Sequence, residues 1–201
     1  MIALTFDDGP TEITPLVLDK LEKYNVTASF FLIGENITEE TKPTLQRELD
    51  LRCEINNHSW SHPNMTTLTK EEVQMEIQKT NEKIYEMTGI LPAFFRPPYI
   101  EVNDMMYETI AFPFICGIGC QDWDSSVGVQ KRVETILNTV QDGDIILLHD
   151  CRENIFTVEA LDILIPELLK RGYTFATVSQ LFAEKGVCPD VTYKLWTNVG
   201  K

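Results

Sequence analysis

The chain of 201 residues predicts a single α/β domain built on a mainly parallel sheet. Short apolar runs bounded by turn residues alternate with amphipathic segments from end to end. The unusual polar residues fall at or just beyond the ends of those runs, and no linker, repeat or low-complexity stretch interrupts the alternation. Such a pattern closes into a barrel or spreads as an open sheet, and both place functional groups at the C-terminal ends of the strands.

Taken in order, Ile2 to Phe6 reads as a buried strand ended by the turn residues Asp7-Asp8-Gly9-Pro10. Leu16, Val17 and Leu21 recur at helical spacing over Thr14 to Tyr24, and Ala28 to Ile33, with two phenylalanines, is a second strand. A polar helix is expected from Glu39 to Leu51 and a weak strand from Cys53 to Ile55. Thr69-Lys70-Glu71-Glu72 is a capping box, so a helix runs from it through Val73, Ile77, Ile84 and Met87 to a stop at Gly89. Ala93 to Phe95 is a strand broken by Pro97-Pro98. A helix over Asn103 to Ala111, a strand over Phe114 to Ile118 and a helix over Val129 to Val140 follow. Asp144 to Leu148 is strongly apolar strand, and the next helix, from about Phe156 to Lys170, carries Pro166 as an expected kink. Tyr173 to Ala176 and Ser179 to Lys185 supply the last strand and helix. These elements set a domain over 1–185 and a tail over 186–201 without pattern, its Trp196 expected on the surface.

A net charge of -14 and a pI near 4.6 oppose extended contact with nucleic acid or an anionic membrane, so neutral or cationic partners fit better; a monomer is expected. No run is long enough to span a membrane. The chain opens almost directly on a strand, and sequons stand at Asn25, Asn36, Asn57 and Asn64; a secreted or cell-surface protein with an upstream leader is the expectation. Five cysteines without a Cys-x-x-Cys pair exclude a zinc knuckle and leave the redox compartment open.

The chemistry centres on the three histidines. His58 and His62 lie four apart in Asn-His-Ser-Trp-Ser-His, a spacing that on a helical turn would bring both imidazoles to one face. Two imidazoles and one carboxylate make a three-ligand site with an open position, the pattern of catalytic zinc. Asp8 is the expected carboxylate ligand, which frees Asp7 to act as general base toward a water at the metal. Taken singly, each group has a plainer reading: Asp-Gly-Pro as a turn, the histidine pair as a hydrogen-bonded surface feature.

Thr5-Phe6-Asp7-Asp8-Gly9-Pro10, His58-Ser59-Trp60-Ser61-His62, Arg96-Pro97-Pro98-Tyr99, Asp122-Trp123 and Leu147-Leu148-His149 together resemble, in order, the five motifs of the polysaccharide deacetylases, carbohydrate esterase family four, which include the chitin deacetylases. The resemblance implies a distorted (β/α) barrel of about seven parallel strands. It also implies a hydrolase that uses zinc, or cobalt, to remove acetyl groups from an N-acetylglucosamine polymer such as chitin. By matching position it makes Asp7 the base, Asp8, His58 and His62 the metal ligands, and Arg96 the partner that orients Asp7. Tyr99 would contribute its backbone N–H to the oxyanion, His149 would be the general acid tuned by Asp122, and Trp123 with Leu147 would hold the acetyl methyl.

The chain departs from the family pattern at several places. Ile100 stands where a glycine commonly follows Arg-Pro-Pro-Tyr, Gly119 where an aspartate is frequent, and Arg52, Cys53 and Asn56 where Gly, His and Gly are usual. These departures keep a second expectation in view, a cell-wall carbohydrate-binding protein on the same fold whose site no longer turns over.

Overall fold

The computed structural model describes residues 1–190 and 193–200. At its centre is strand β1 (Ile2–Asp7), all six of its residues buried, as a strand covered on both faces requires. It pairs in parallel with β2 (Ser29–Leu32) on one side and β6 (Ile145–His149) on the other, and the sheet runs β3 (Glu54–Asn57), β2, β1, β6, β5 (Ile118–Gly119). Strand β7 (Phe175–Ala176) pairs only with the first residues of β1, Ile2 and Ala3, below the point where β2 joins at Thr5.

Beyond β3 the sheet curls on through single parallel bridges from Asn57 to Phe95 and from Phe95 to Phe114. There β4 (Phe114–Ile115) pairs with β8 (Leu195–Trp196), and the Ile145 N–H donates to Thr197 O at the start of β6. The result is an irregular parallel barrel, as expected.

Helices cover the outside. α1 (Thr14–Tyr24) lies against α6 (Ile155–Lys170), where Lys20 and Lys23 pair with Asp162 at 2.5 and 2.7 Å. Pro166 sits inside α6, and the carbonyl four residues back that it leaves without an intrahelical donor, Asp162 O, accepts from the Tyr24 hydroxyl at 3.3 Å. α2 (Lys42–Asp50) is shorter than expected because Thr38 and Thr41 form a turn ahead of it. The capping box at Thr69 and Glu72 and the left-handed Gly89 bound α3 (Lys70–Thr88) where the sequence sets them. α4 (Asp104–Thr109), α5 (Val129–Thr139) and α7 (Val178–Glu184, capped by Thr177) complete the set.

Four expectations are corrected. The segment from His58 to His62 is a loop rather than a helical turn, with left-handed backbone at Ser59 (φ 68°) and His62 (φ 54°). Ala93 to Phe95 contributes only a bridge at Phe95. The strand expected over Phe114 to Ile118 is split, because Arg96 takes the carbonyls of Ile115 and Cys116 that a continuous ladder would use. Trp196 is buried, 5% exposed, with its ring edge-on to Phe182 at 5.0 Å. All five cysteines are free thiols.

Because Trp196 is both a strand residue and a core side chain, Trp196→Ala is expected to cost about 3–5 kcal/mol, the range for removing a buried aromatic. Urea unfolding followed by far-ultraviolet circular dichroism measures this.

Candidate active site

The site lies at the C-terminal ends of β1, β3 and β6. Asp7 closes β1, His149 closes β6 directly beside it, and His58 follows β3. The turn after β1 is held from below. Asp150 N–H donates to Asp7 O, Thr11 Oγ1 donates to Asp150 O, and Asn36 Nδ2 donates to Asp8 O. A Cβ on Gly9 would come within 2.4 Å of the Asp150 carboxylate, so the close approach requires glycine.

Asp8 Oδ1 lies 3.4 Å from His58 Nε2 and 3.4 Å from His62 Nε2. Two donors about 2.0 Å from one ion at the tetrahedral angle stand roughly 3.3 Å apart, so these separations suit a shared ion. Two further observations support the fit. Asp8 Oδ1 is buried with no hydrogen-bond donor, and His58 Nδ1 is 2.7 Å from Arg96 O. A carbonyl only accepts, so Nδ1 carries the proton and Nε2 keeps its lone pair. Burial raises the Asp8 pKa, but the imidazoles that face it, His58 foremost, outweigh it and bring it to about 2, so Asp8 is a carboxylate throughout the physiological range. Burial and the neighbouring His58 hold His62 below the usual imidazole range.

Asp7 is nearly inaccessible. Its Oδ1 accepts from Arg96 Nη1 at 2.5 Å, and its Oδ2 faces His58 Nε2 at 3.8 Å. Arg96 is itself fully buried, lies 4.0 Å above the Phe31 ring and donates Nη2 to Cys116 O. On the neighbouring strand, His149 Nδ1 lies 2.9 Å from Asp122 Oδ1, while the His149 N–H and the Thr157 hydroxyl both donate to Asp122 Oδ2 at 2.8 Å. Burial disfavours the charged His149 ring, yet the Asp122 hydrogen bond and charge, with Asp7 and Asp8 behind, push its pKa up to about 9. The imidazole therefore carries a proton at neutral pH.

Asp7, Asp8, His58, His62 and His149 line a cleft of about 400 Å³ with Tyr99, Ile100, Trp123 and Leu147. Tyr99 stands edge-on to the His62 ring at 4.7 Å, and Trp123, 61% exposed, forms an open aromatic wall. Every residue expected at the site is thus brought to one place. Missed in the sequence were the residues that hold it: Asn57, Glu76, Asn154 and Thr157, whose side chains accept or donate inside the network. The stretch Ile-Phe-Thr-Val-Glu after Asn154 gives no sign of this, because the contacts cross between distant segments.

The departures resolve individually. Asn56 Oδ1 accepts from the N–H groups of Ala93 and Phe94 and so fastens β3 to its neighbour. Cys53 is buried just ahead of β3, at the end away from the site, its thiol pushed up to about 11 by burial. A Cβ on Gly119 would make only ordinary contact, 3.6 Å from Leu147 O. Ile100 is different. It lines the cleft with φ at 58°, beside Tyr99 at 59°, a left-handed backbone that a β-branched residue rarely adopts. Ile100→Gly is expected to raise stability by about 1–2 kcal/mol through release of that strain, read as an increase in urea midpoint at unchanged slope. A lowered midpoint would mean that the side chain's contacts outweigh the strain.

A family model described as polysaccharide deacetylase matches residues 1–111. A bifunctional xylanase/deacetylase of Pseudobutyrivibrio xylanivorans is 49% identical over 99% of this chain, which spans 33% of that protein. A peptidoglycan-N-acetylglucosamine deacetylase of Bacillus cereus is 36% identical over 90% of this chain and 68% of its own length. Among solved structures, the Xyl-CE4 domain of a multidomain xylanase from the hindgut metagenome of Trinervitermes trinervoides superposes with a TM-score of 0.98 at 47% identity, covering 100% of this chain and 98% of that one. A family 4 acetyl xylan esterase of Clostridium thermocellum, in complex with a cobalt ion, gives a TM-score of 0.96 at 40% identity, covering 100% and 99%. The residues in the cleft and these likenesses lead to one conclusion: the chain belongs to the polysaccharide deacetylase family.

Proposed function

We propose that the protein is a metal-dependent deacetylase that releases acetate from acetylated xylan. The catalytic half of the reading rests on one observation, the gathering in one cleft of a buried carboxylate, Asp7, and a protonated imidazole, His149, with the Asp8, His58 and His62 donor set. The substrate half is supported by the two xylan-linked neighbours, with TM-scores of 0.98 and 0.96, against 0.86 for the peptidoglycan deacetylase PdaC from Bacillus subtilis. Acetylated xylan therefore takes the place of chitin, which the motifs alone had suggested. An extracellular location follows from a polymer of that size.

A divalent ion, zinc or cobalt, held by Asp8, His58 and His62 would supply Lewis acidity toward the acyl carbonyl and lower the pKa of a nearby water. Asp7 takes the proton from the attacking water through Oδ2, because Oδ1 is committed to Arg96. The Arg96 contact fixes the carboxylate plane and keeps the free oxygen directed at the site. The Tyr99 backbone N–H is assigned to the developing oxyanion. His149 gives its proton to the departing sugar oxygen as the carbon–oxygen bond breaks, and Asp122 holds the ring in place to do so. Water and ester thus become acetate and a sugar hydroxyl. Trp123 and Leu147 present apolar surface to the acetyl methyl.

The direct test is acetate release by the zinc- or cobalt-loaded protein from acetylated xylooligosaccharide, chitooligosaccharide and peptidoglycan. Fastest release from the xylan fragment is expected. Faster release from either N-acetylated polymer would overturn the substrate, and no release from any, with oligosaccharide binding retained, would favour the carbohydrate-binding alternative.

The pH dependence carries a second expectation. A raised histidine pKa means that the acid form is present below the folded value and lost above it, so kcat/KM should show an alkaline limb, which a divalent ion on Asp8 moves below the value of about 9 set by the residues alone. Asp122→Asn removes the largest influence that raises it, and the alkaline limb should move down toward the ordinary imidazole value. An unchanged limb in that variant would show that His149 is not the titrating acid.

A further inference from the structure

The two histidines of the donor set are held by different means. His58 is fixed by the sheet, since its N–H donates to Leu32 O at 3.0 Å and its ring to Arg96 O at 2.7 Å. His62 has neither support. It ends a loop of left-handed turns at Ser59 and His62, and the ring contacts it makes among the described residues are to other members of the cleft, His58, Tyr99 and Asp8.

We infer that Glu76 on α3 is the positioning residue that sets His62 at metal-binding distance. Its Oε2 accepts from the N–H groups of both Trp60 and Ser61 at 2.8 Å, and its Oε1 accepts from the Ser61 hydroxyl at 3.0 Å. The loop's other donors are satisfied within its own segment, Ser59 N–H by Asn57 Oδ1 and His62 N–H by Ser59 Oγ. Its carbonyls at Ser59 and Trp60 accept from Gly34 and Glu35, so one side of the loop is tied to the segment after β2 and the other to Glu76. The Trp60 ring fills the space a Cβ on Gly34 would need, at 2.4 Å, which closes the first side tightly. Glu76 is the sole side-chain tie from α3 to the backbone between the two histidines among the described residues, and α3 is rigid, capped at both ends. A fixed carboxylate on a rigid helix converts the register of α3 into the position of His62.

The inference rests on Asp8, His58 and His62 being metal ligands, and binding of metal by the unaltered protein tests that reading separately. With zinc and cobalt(II) alone as probes, Glu76→Ala is expected to bind about 10–100-fold more weakly, the usual loss when an outer partner of a ligand is removed. Binding should be weakened rather than abolished, since His58 and Asp8 stay in place. The visible absorption of the cobalt(II) protein should change as the third ligand loosens. Glu76→Gln can still accept both N–H groups through its amide oxygen while its NH2 donates to the Ser61 hydroxyl, so it should restore near-normal affinity and spectrum. If Glu76→Ala lowers the melting temperature of the metal-free protein but leaves metal affinity and the cobalt spectrum unchanged, the residue is only a fold contact and the inference fails. If Glu76→Gln is as weak as Glu76→Ala, the carboxylate charge rather than its geometry matters, and the positioning role is likewise overturned.

Discussion

The buried Arg96 is the fixed point of the molecule. Its guanidinium holds Asp7, takes two carbonyls where the strand between 114 and 119 divides, and stacks on Phe31, while its own backbone carbonyl sets the tautomer of His58. A guanidinium in the interior is costly unless every donor is met, and removing one partner of such a pair costs about 3–5 kcal/mol. Fold and site therefore share one residue. The irregular sheet at β4 and β5 is what lets the charge be satisfied there, and the satisfied charge is what leaves one oxygen of Asp7 turned to the cleft.

Around that point the carboxylates divide by environment. Asp8 is ionised because imidazoles face it, whereas Asp150, four-square behind Gly9, is pushed up to about 7 by burial despite the Thr14 hydroxyl. Glu48 is wholly buried, and burial together with Asp150 drives its pKa well above the carboxylate range. Carboxyl groups in one domain are thus held charged where imidazoles face them and driven toward the neutral form where only burial acts.

Much of this was legible in the sequence, for identifiable reasons. The apolar runs of β1 and β6, the box at Thr69 and the stop at Gly89 are local signals, and local signals fix elements. The ordered motifs likewise brought Asp7, Asp8, His58, His62 and His149 to one cleft, with Arg96 behind Asp7 and Asp122 behind His149. What escaped were contacts between segments far apart in the chain. The four-residue histidine spacing suggested a helical turn, but the loop is shaped by Glu76 and Gly34, which no periodicity links to it. Trp196 looked peripheral because its partners, Ile115 and Phe182, lie about 81 and 14 positions away, and pairing at that range leaves no local trace.

Of the ten non-glycine residues with left-handed backbone among the described residues, Asp8, His62, Tyr99 and Ile100 line the cleft. Each such residue carries a conformational cost that the surrounding packing must offset. Descendants released from selection for turnover are thus free to relax these positions toward glycine or asparagine and gain heat tolerance as they do. Robustness and reactivity would then diverge along a lineage, and the backbone shape of this rim would record which of the two had been kept.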